Sequence, residues 1–119
     1  MIDKKFAEHF AQEWIDSWNS HDLSHILSHY ADDFEMSSPV IVAIAGEPSG
    51  ILKGKEKVAT YWAKALQLLP DLPFELMSIL IEVNSITLYY RGARRRLAAE
   101  VFHFGPDEKV VKAFAHYAD

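Results

Sequence analysis

Apolar residues in the first part of the chain recur at helical spacing. Four large aromatic residues stand four positions apart, namely Phe6, Phe10, Trp14 and Trp18. A stripe of this kind is typical of the buried face of a helix, which we predict over about residues 4–18. Similar apolar repeats predict a second helix over about residues 22–30 and a third from the position after Gly54 to about Leu69. Pro70 is expected to end the third helix, because proline has no backbone N–H and cannot continue it.

From Phe74 onward the apolar pattern changes to an alternation of period two. It predicts four strands, over residues 74–83, 86–91, 97–104 and 110–117. The links between them are short and rich in turn-forming residues, which favours antiparallel neighbours. Helices followed by consecutive strands are typical of an α+β fold with the helices on one face of the sheet.

A further short strand is predicted immediately before Pro39, after a tight acidic turn that contains Asp32 and Asp33. Aspartate is common in turns because it bonds local backbone groups, so we assign this pair to the turn rather than to chemistry. Alternate residues of a strand share a face. The inward face of this strand is expected to carry Phe34, Met36 and Ser38.

The alternation over residues 97–104 places Glu100 among apolar neighbours on one face and His103 on the other. The last strand places His116 outward beside His103, and both faces of the sheet are largely apolar. A sheet covered on one side only should have one polar face, so we predict a homodimer through the outer sheet face. His103 and His116 are then either a proton-transfer pair or, as we favour, polar contacts of that interface. A register shift of one residue would exchange the faces of Glu100 and His103.

Composition narrows the possible functions. The chain has 119 residues and a net charge of −5, which fits one domain, residues 1–119, and disfavours nucleic-acid partners, since these need a positive field. There is no cysteine, which excludes disulfides, thiolate metal sites and a cysteine nucleophile. No segment approaches the roughly 20 apolar residues of a membrane span, so we expect no membrane partner and a cytoplasmic location.

The apolar segment of residues 40–45, VIVAIA, allows two interpretations that we weigh equally. It is either a flap across a cavity mouth, with Gly46 and Gly50 as flexible ends, or an edge strand or dimer contact. Among the arginines near residue 94, Arg91 is the one expected to reach a cavity rim, because it ends a strand.

Three histidines stand four residues apart, at His21 immediately before the second predicted helix and at His25 and His29 within it. Pairs at this spacing can chelate a metal ion in principle. The apolar residues of the same helix face inward, however, so the histidines lie on its wet side, and no carboxylate is clearly placed to complete a site. We therefore expect no metal site here.

The order and spacing of several segments resemble the nuclear-transport-factor-two-like superfamily, in particular its SnoaL-like (polyketide cyclase-like) and ketosteroid isomerase-like members. The segments are WIDSWNSHDL, HYADDFEMSSP, GEPSGILKGKEKVATYW, LAAEVFHF and VVKAFAHY. The resemblance implies a cone of three N-terminal helices packed on a strongly curved, mainly antiparallel sheet around an apolar pocket, with dimers through the outer sheet face. We expect the pocket wall to include Trp14, Trp18, Tyr30, Met36, Ser38, Trp62, Phe102 and Tyr117.

The resemblance also assigns candidate chemistry. Ketosteroid isomerases carry a catalytic Asp at the position of Ser38, a tyrosine donor at that of Trp14 and an acidic donor at that of Glu100. Of these three catalytic residues, this chain has a counterpart only for the acidic donor, Glu100, so the usual steroid isomerase activity is not expected. Polyketide cyclases of the superfamily resemble the chain differently, since a single acid in an apolar cavity is thought to serve them, and Glu100 could supply it.

We therefore predict a pocket for a hydrophobic small molecule, with Glu100 as the acid or base. The predicted chemistry is isomerisation, cyclisation or dehydration of a carbonyl compound without a cofactor. Two alternatives stay open. The first is a non-catalytic small-ligand binding module, and the second is a dimerisation scaffold whose cavity is filled by its own side chains.

Overall fold

The computed structural model describes residues 1–69 and 73–118, in which helices and strands form an α+β fold. The helices are α1 (Lys4–Asn19), α2 (Leu23–Leu27), α3 (Pro39–Ala45) and α4 (Lys55–Leu68). The strands are β1 (Tyr30–Ser37), β2 (Ile51–Lys53), β3 (Glu75–Ile81), β4 (Ser85–Arg91), β5 (Leu97–Phe104) and β6 (Val110–Tyr117). A 3-10 turn spans Ala93–Arg95 between β4 and β5.

The six strands form one sheet in the order β2-β1-β6-β5-β4-β3. Strand β1 pairs with β6 in parallel, and the other neighbours are antiparallel. Register shifts interrupt three of these pairings, and such irregularities bend a sheet. The predicted fold class, a mainly antiparallel curved sheet with helices, is therefore confirmed.

Helix α1 is held at both ends by side chains. The Asp3 carboxylate accepts a hydrogen bond from the Phe6 amide at 2.8 Å, which satisfies one of the free N–H groups at the start of the helix. At its other end, Asn19 donates to the Phe74 carbonyl at 3.1 Å and accepts from the Phe74 amide at 2.6 Å. These two bonds fix Phe74, at the entrance to β3, against the helix. The predicted stripe is buried in between, including Phe10, Trp14 and Trp18.

Residues 40–45 form helix α3, so the interpretation of this segment as an edge strand is wrong. Val and Ile favour strands by propensity, but the local signals for a helix start are stronger. The Ser38 hydroxyl accepts from the Val40 amide at 3.1 Å, and Pro39 at the first helical position has no N–H that would need a partner. Gly46 then ends the helix with a φ of 72°, a conformation that glycine adopts without strain. Helix α3 is additional to the three predicted helices.

Smaller differences concern the ends of elements. The second helix is shorter than predicted, and Tyr30 begins β1 instead of ending that helix. Asp32 and Asp33 lie within β1 rather than in a turn. The stop signal at Pro70 lies outside the described residues.

The faces of β5 are as predicted. Glu100 points inward and is 4% exposed, whereas His103 lies on the outer face, with its ring edge-on to Phe114. In β6, a register shift after the β5–β6 turn leaves Val110 fully buried and Val111 half-buried. In the described part of the chain, no helix has the length and apolar character needed to cross a membrane.

Candidate functional site

A cavity of about 350 Å³ lies between α1, α3, α4 and the inner face of the sheet. Its volume is in the range of small-molecule sites. Helix α3 contributes Val40, Ala43 and Ile44, so the segment predicted as a possible flap forms part of the wall as a helix. The aromatic part of the wall consists of Trp14, Trp18, Tyr61, Trp62, Phe74, Tyr90 and Tyr117.

Glu100 is the buried carboxylate of this cavity. The alternation of β5 points its side chain inward, and the Tyr90 hydroxyl on the neighbouring strand β4 donates to Glu100 Oε1 at 3.1 Å. Burial disfavours the charged form and raises the pKa of Glu100 to about 7, although the bond from Tyr90 opposes this rise. Near neutral pH both protonation states are therefore populated, so Glu100 can accept or donate a proton.

Two further hydroxyl groups lie in the cavity wall. Burial raises the pKa of Tyr117 to about 12 and that of Tyr61 still higher. The neighbouring Ser38 side chain partly opposes the rise in both pKa values. At neutral pH both phenols keep their protons and can donate hydrogen bonds to a ligand.

Trp18 contributes a hydrogen-bond donor with no protein partner within residues 1–69 and 73–118, its indole Nε1. The ring lies in the cavity wall, edge-on to Trp62 and stacked against Phe74. A buried donor that lacks an acceptor costs free energy. A ligand oxygen placed at this nitrogen would remove that cost.

The structure brings together most of the residues predicted for the site. The cavity wall contains Glu100 together with Trp14, Trp18, Met36, Trp62 and Tyr117. Tyr30, Ser38 and Phe102 lie behind this wall and support it. The Tyr30 hydroxyl accepts from Trp14 Nε1 at 3.0 Å, and the Phe102 ring packs edge-on against Trp14. The Trp14 N–H is therefore already bonded, and the Ser38 hydroxyl caps α3.

Sequence analysis missed Tyr90, the partner of Glu100. The sequence does indicate that Tyr90 points inward, because Ile86, Leu88 and Tyr90 alternate with outward residues in β4. Which residue of β4 reaches Glu100 depends on the register between the strands, which the alternation alone does not fix.

The cavity rim also differs from the prediction. The Arg91 guanidinium donates to the Arg95 carbonyl at 2.9 Å, and the exposed residues Arg94 and Arg96 line the cavity instead. Arg96 lies over the Tyr117 ring at 5.1 Å. Arg94 and Arg95 adopt left-handed backbone angles, with φ of 57° and 60°, and the sequence gives no signal for this conformation.

A second cluster of functional side chains lies on the outside of α1 and α2. Sequence analysis found no carboxylate for the histidine face, and the structure corrects this. Glu13 of α1 lies 3.2 Å from His29, and together with His25 these residues could hold a metal ion.

A family model and a solved structure both identify this chain as SnoaL-like. The SnoaL-like domain family matches residues 11–116. A SnoaL-like protein of unknown function from Burkholderia thailandensis is 64% identical, covers 99% of this chain and 98% of its own, and superposes with a TM-score of 0.95. Among the curated proteins, none matches.

Two more distant structures share the fold. SalBIII, described as an epoxide hydrolase/cyclase-like enzyme with a role in pyran ring formation in salinomycin, is 14% identical, with coverages of 99% and 95% and a TM-score of 0.77. An NTF2-like protein of unknown function from Cytophaga hutchinsonii is also 14% identical, with coverages of 94% and 89% and a TM-score of 0.69. At this identity the likeness establishes the fold alone.

Proposed function

The chain belongs to the SnoaL-like domain family, and on the basis of its cavity we propose that it is a small-molecule enzyme that uses Glu100 as its acid–base group. The substrate is a hydrophobic, ring-sized carbonyl compound. The reaction is an isomerisation, cyclisation or dehydration that requires no cofactor.

One observation carries this proposal, the buried carboxyl of Glu100 with a pKa of about 7 in an otherwise aromatic cavity. A general acid or base works best when its pKa lies near the working pH. A purely structural acid would need only to be bonded. Within residues 1–69 and 73–118, the Glu100 carboxyl has one side-chain bond, from Tyr90, and its remaining acceptor sites are available to a ligand.

The chemistry follows from the groups around the cavity. Ionised Glu100 takes a proton from the carbon next to the substrate carbonyl, and the electron pair moves onto the carbonyl oxygen. Trp18 Nε1 and the hydroxyls of Tyr61 and Tyr117 are the donors available to stabilise that oxygen. Protonated Glu100 then returns the proton to another carbon or to a departing hydroxyl group, so one residue acts as base and then as acid. The cyclase-like description of SalBIII is compatible with this type of reaction.

A non-catalytic binding module is the second candidate, and one observation favours it. The position where ketosteroid isomerases carry their base is Ser38, whose hydroxyl here caps α3. A scaffold with a filled cavity is less compatible with the open volume of about 350 Å³.

The test compares the wild-type protein with Glu100→Gln, which keeps the size of the side chain but cannot exchange a proton at neutral pH. The matched control is Glu75→Gln, an exposed carboxylate at the start of β3. Each protein is screened by thermal shift and then by turnover against cyclic ketones, phenols and polyketide-like aromatic compounds.

For an enzyme, we expect ligands to stabilise all three proteins and turnover to be lost in Glu100→Gln alone. Ligand stabilisation without turnover in the wild type would favour the binding module. If no compound stabilised the folded wild type, the proposal of a ligand pocket would be overturned.

A further inference from the structure

Outside the cavity, α1 and α2 bring together Glu13, His25 and His29, which we call the metal-ligand cluster. One ligand atom from each residue lies within 4.8 Å of the other two. His25 and His29 are four residues apart and their ring centres are separated by 5.3 Å. Glu13 comes from α1, His25 from α2, and His29 from the turn that follows α2. The packing of α1 against α2 and this turn, rather than sequence proximity, therefore brings Glu13 to the two histidines.

The environment of the His29 ring is the feature that needs an explanation. Its Nδ1 lies 3.2 Å from the Ile26 carbonyl oxygen, and its Nε2 lies 3.2 Å from Glu13 Oε1. Both partners are hydrogen-bond acceptors when Glu13 is ionised, whereas a neutral imidazole has only one N–H group. In either tautomer, one ring lone pair therefore faces an oxygen. A second proton on His29 or a cation between His29 and Glu13 would resolve this conflict.

The arrangement on Nδ1 matches that of a metal ligand. Histidines that bind a metal through one ring nitrogen commonly donate the other N–H to a backbone carbonyl, which fixes the tautomer and the ring orientation. The Ile26 carbonyl is in that position. When Nδ1–H donates to this carbonyl, Nε2 carries the ring's free lone pair, which faces the Glu13 carboxylate.

We propose that the metal-ligand cluster binds a divalent cation of the zinc class. The ligands are His29 Nε2, one ring nitrogen of His25 and a carboxylate oxygen of Glu13, and water completes the coordination. Two imidazoles and one carboxylate form a known ligand set for Zn²⁺, with bonds of about 2.0–2.2 Å. This inference is independent of the proposed activity, because the cluster lies outside the cavity wall.

Binding requires a small closure of the cluster. Tetrahedral zinc with such bond lengths places neighbouring ligand atoms about 3.3 Å apart. In the structure, the three ligand atoms lie within 4.8 Å of one another, so they must move closer together. The Glu13 and His25 side chains are partly exposed, so side-chain rotation can bring them nearer without disturbing the core. His9 lies 3.3 Å from the second oxygen of Glu13 and is 72% exposed, so it can move aside.

The expected effect of the metal is structural. His29 lies in the turn between α2 and β1, and its carbonyl accepts from the Val110 amide at 2.9 Å. A cation bound to the cluster would join α1, α2 and, through this bond, the start of β6. Because the unfolded chain does not preform such a site, the metal should stabilise the native state.

The test uses the full chain after removal of metals with a chelator. Titration calorimetry with Zn²⁺ should give one ion per chain with micromolar or tighter affinity, and Zn²⁺ should raise the melting temperature. Co²⁺ in the same site should give the visible absorption of a coordinated ion. His29→Gln and Glu13→Gln should each weaken Zn²⁺ binding by more than about tenfold, since even the outer partners of a metal ligand contribute that much.

The matched control is His116→Gln, the same substitution at an exposed histidine of β6. It should leave the affinity and the melting-temperature rise unchanged. The inference is overturned if no one-to-one binding is found, or if His116→Gln weakens binding as much as His29→Gln does. Should His29→Gln fail to fold, Glu13→Gln and His25→Gln decide the question, because both change partly exposed side chains.

Discussion

The hydroxyl of Tyr90 donates to Glu100 Oε1 at 3.1 Å, although the two residues are not directly opposite each other in the sheet. Tyr90 pairs with Ala98, and Glu100 pairs with Leu88. The bond therefore runs diagonally across β4 and β5, a distance that a long aromatic side chain can reach. From a neighbouring strand, Tyr90 thus partly opposes the rise that burial causes in the pKa of Glu100.

Replacing Tyr90 by Phe should raise the pKa of Glu100 further above its usual value. The Tyr90 bond lowers the pKa of Glu100 and burial raises it, so removing the bond leaves burial unopposed. The protein should also lose about 1 kcal/mol of stability at high pH, where Glu100 is ionised and the bond is strongest. NMR titration of the labelled Glu100 carboxyl measures the shift. Tyr89→Phe, at the outward and 37% exposed neighbour, should change neither quantity.

Stability should decrease with rising pH because of Glu100. Its pKa is 4.5 in the unfolded chain and about 7 in the folded protein. Between these values the folded state binds more protons than the unfolded state. The contribution of Glu100 is therefore fully present below pH 4.5 and is lost as the pH rises to about 7.

The size of this effect is about 3 kcal/mol, from the difference between the two pKa values. Urea unfolding of the wild type and of Glu100→Gln across this pH range measures it. The stability difference between the two proteins should change with pH and become constant above the folded pKa. Parallel curves for the two proteins would show that Glu100 does not titrate in this window. Comparing the two proteins removes the effects of other titrating groups.

Gly50→Ala should destabilise the protein more than Gly46→Ala. Both glycines have a φ of 72°, so alanine is strained at either position. At Gly50 the new Cβ would also lie 3.2 Å from the Ser38 carbonyl oxygen, whereas at Gly46 it would meet nothing within 4 Å. The backbone of Gly50 also accepts a bond from the Ser38 amide at 2.9 Å. Equal losses of melting temperature would show that the close approach to Ser38 has no energetic effect.

We predict a homodimer through the outer face of the sheet, where Val101 and Phe114 pair as half-buried apolar neighbours on β5 and β6. Light scattering should give twice the 13.6 kDa of one chain. Val101→Glu should produce a folded monomer, because a charge in an apolar interface is costly. Thr60→Glu, on the exposed side of α4, should leave the dimer intact. A wild-type monomer at all concentrations would contradict the prediction.

The sequence was sufficient to predict the inward position of Glu100. Strand alternation put Glu100 on the face opposite His103, but because both faces are largely apolar, the alternation left a shift of one residue open. The structure confirms the predicted register. The position of Tyr90 relative to Glu100 could not be predicted in the same way. It depends on how β4 and β5 align, and the connection between them contains Arg94 and Arg95 in left-handed conformations that few arginines adopt.

Helix α3 was missed for a different reason. Its residues have strand propensity, and the helix is short, so propensity and periodicity both favoured the wrong structure. The decisive signal was local, a serine cap followed by proline at the first helical position. The position of Glu13 beside His29 was not predictable either, because it arises from the packing of two helices.

The pairing of β1 with β6 determines when the sheet and its cavity can be completed during synthesis of the chain. Residues 110–117 form a central strand, between β1 and β5, yet they are synthesised after the other five strands of this sheet. Until then, β1 and β5 each present an open edge, the type of surface that invites incorrect pairing. Tyr117 of the cavity wall lies in this same strand. We therefore expect the nascent chain to remain unable to retain a ligand until residues 110–117 have left the ribosome and paired with β1 and β5.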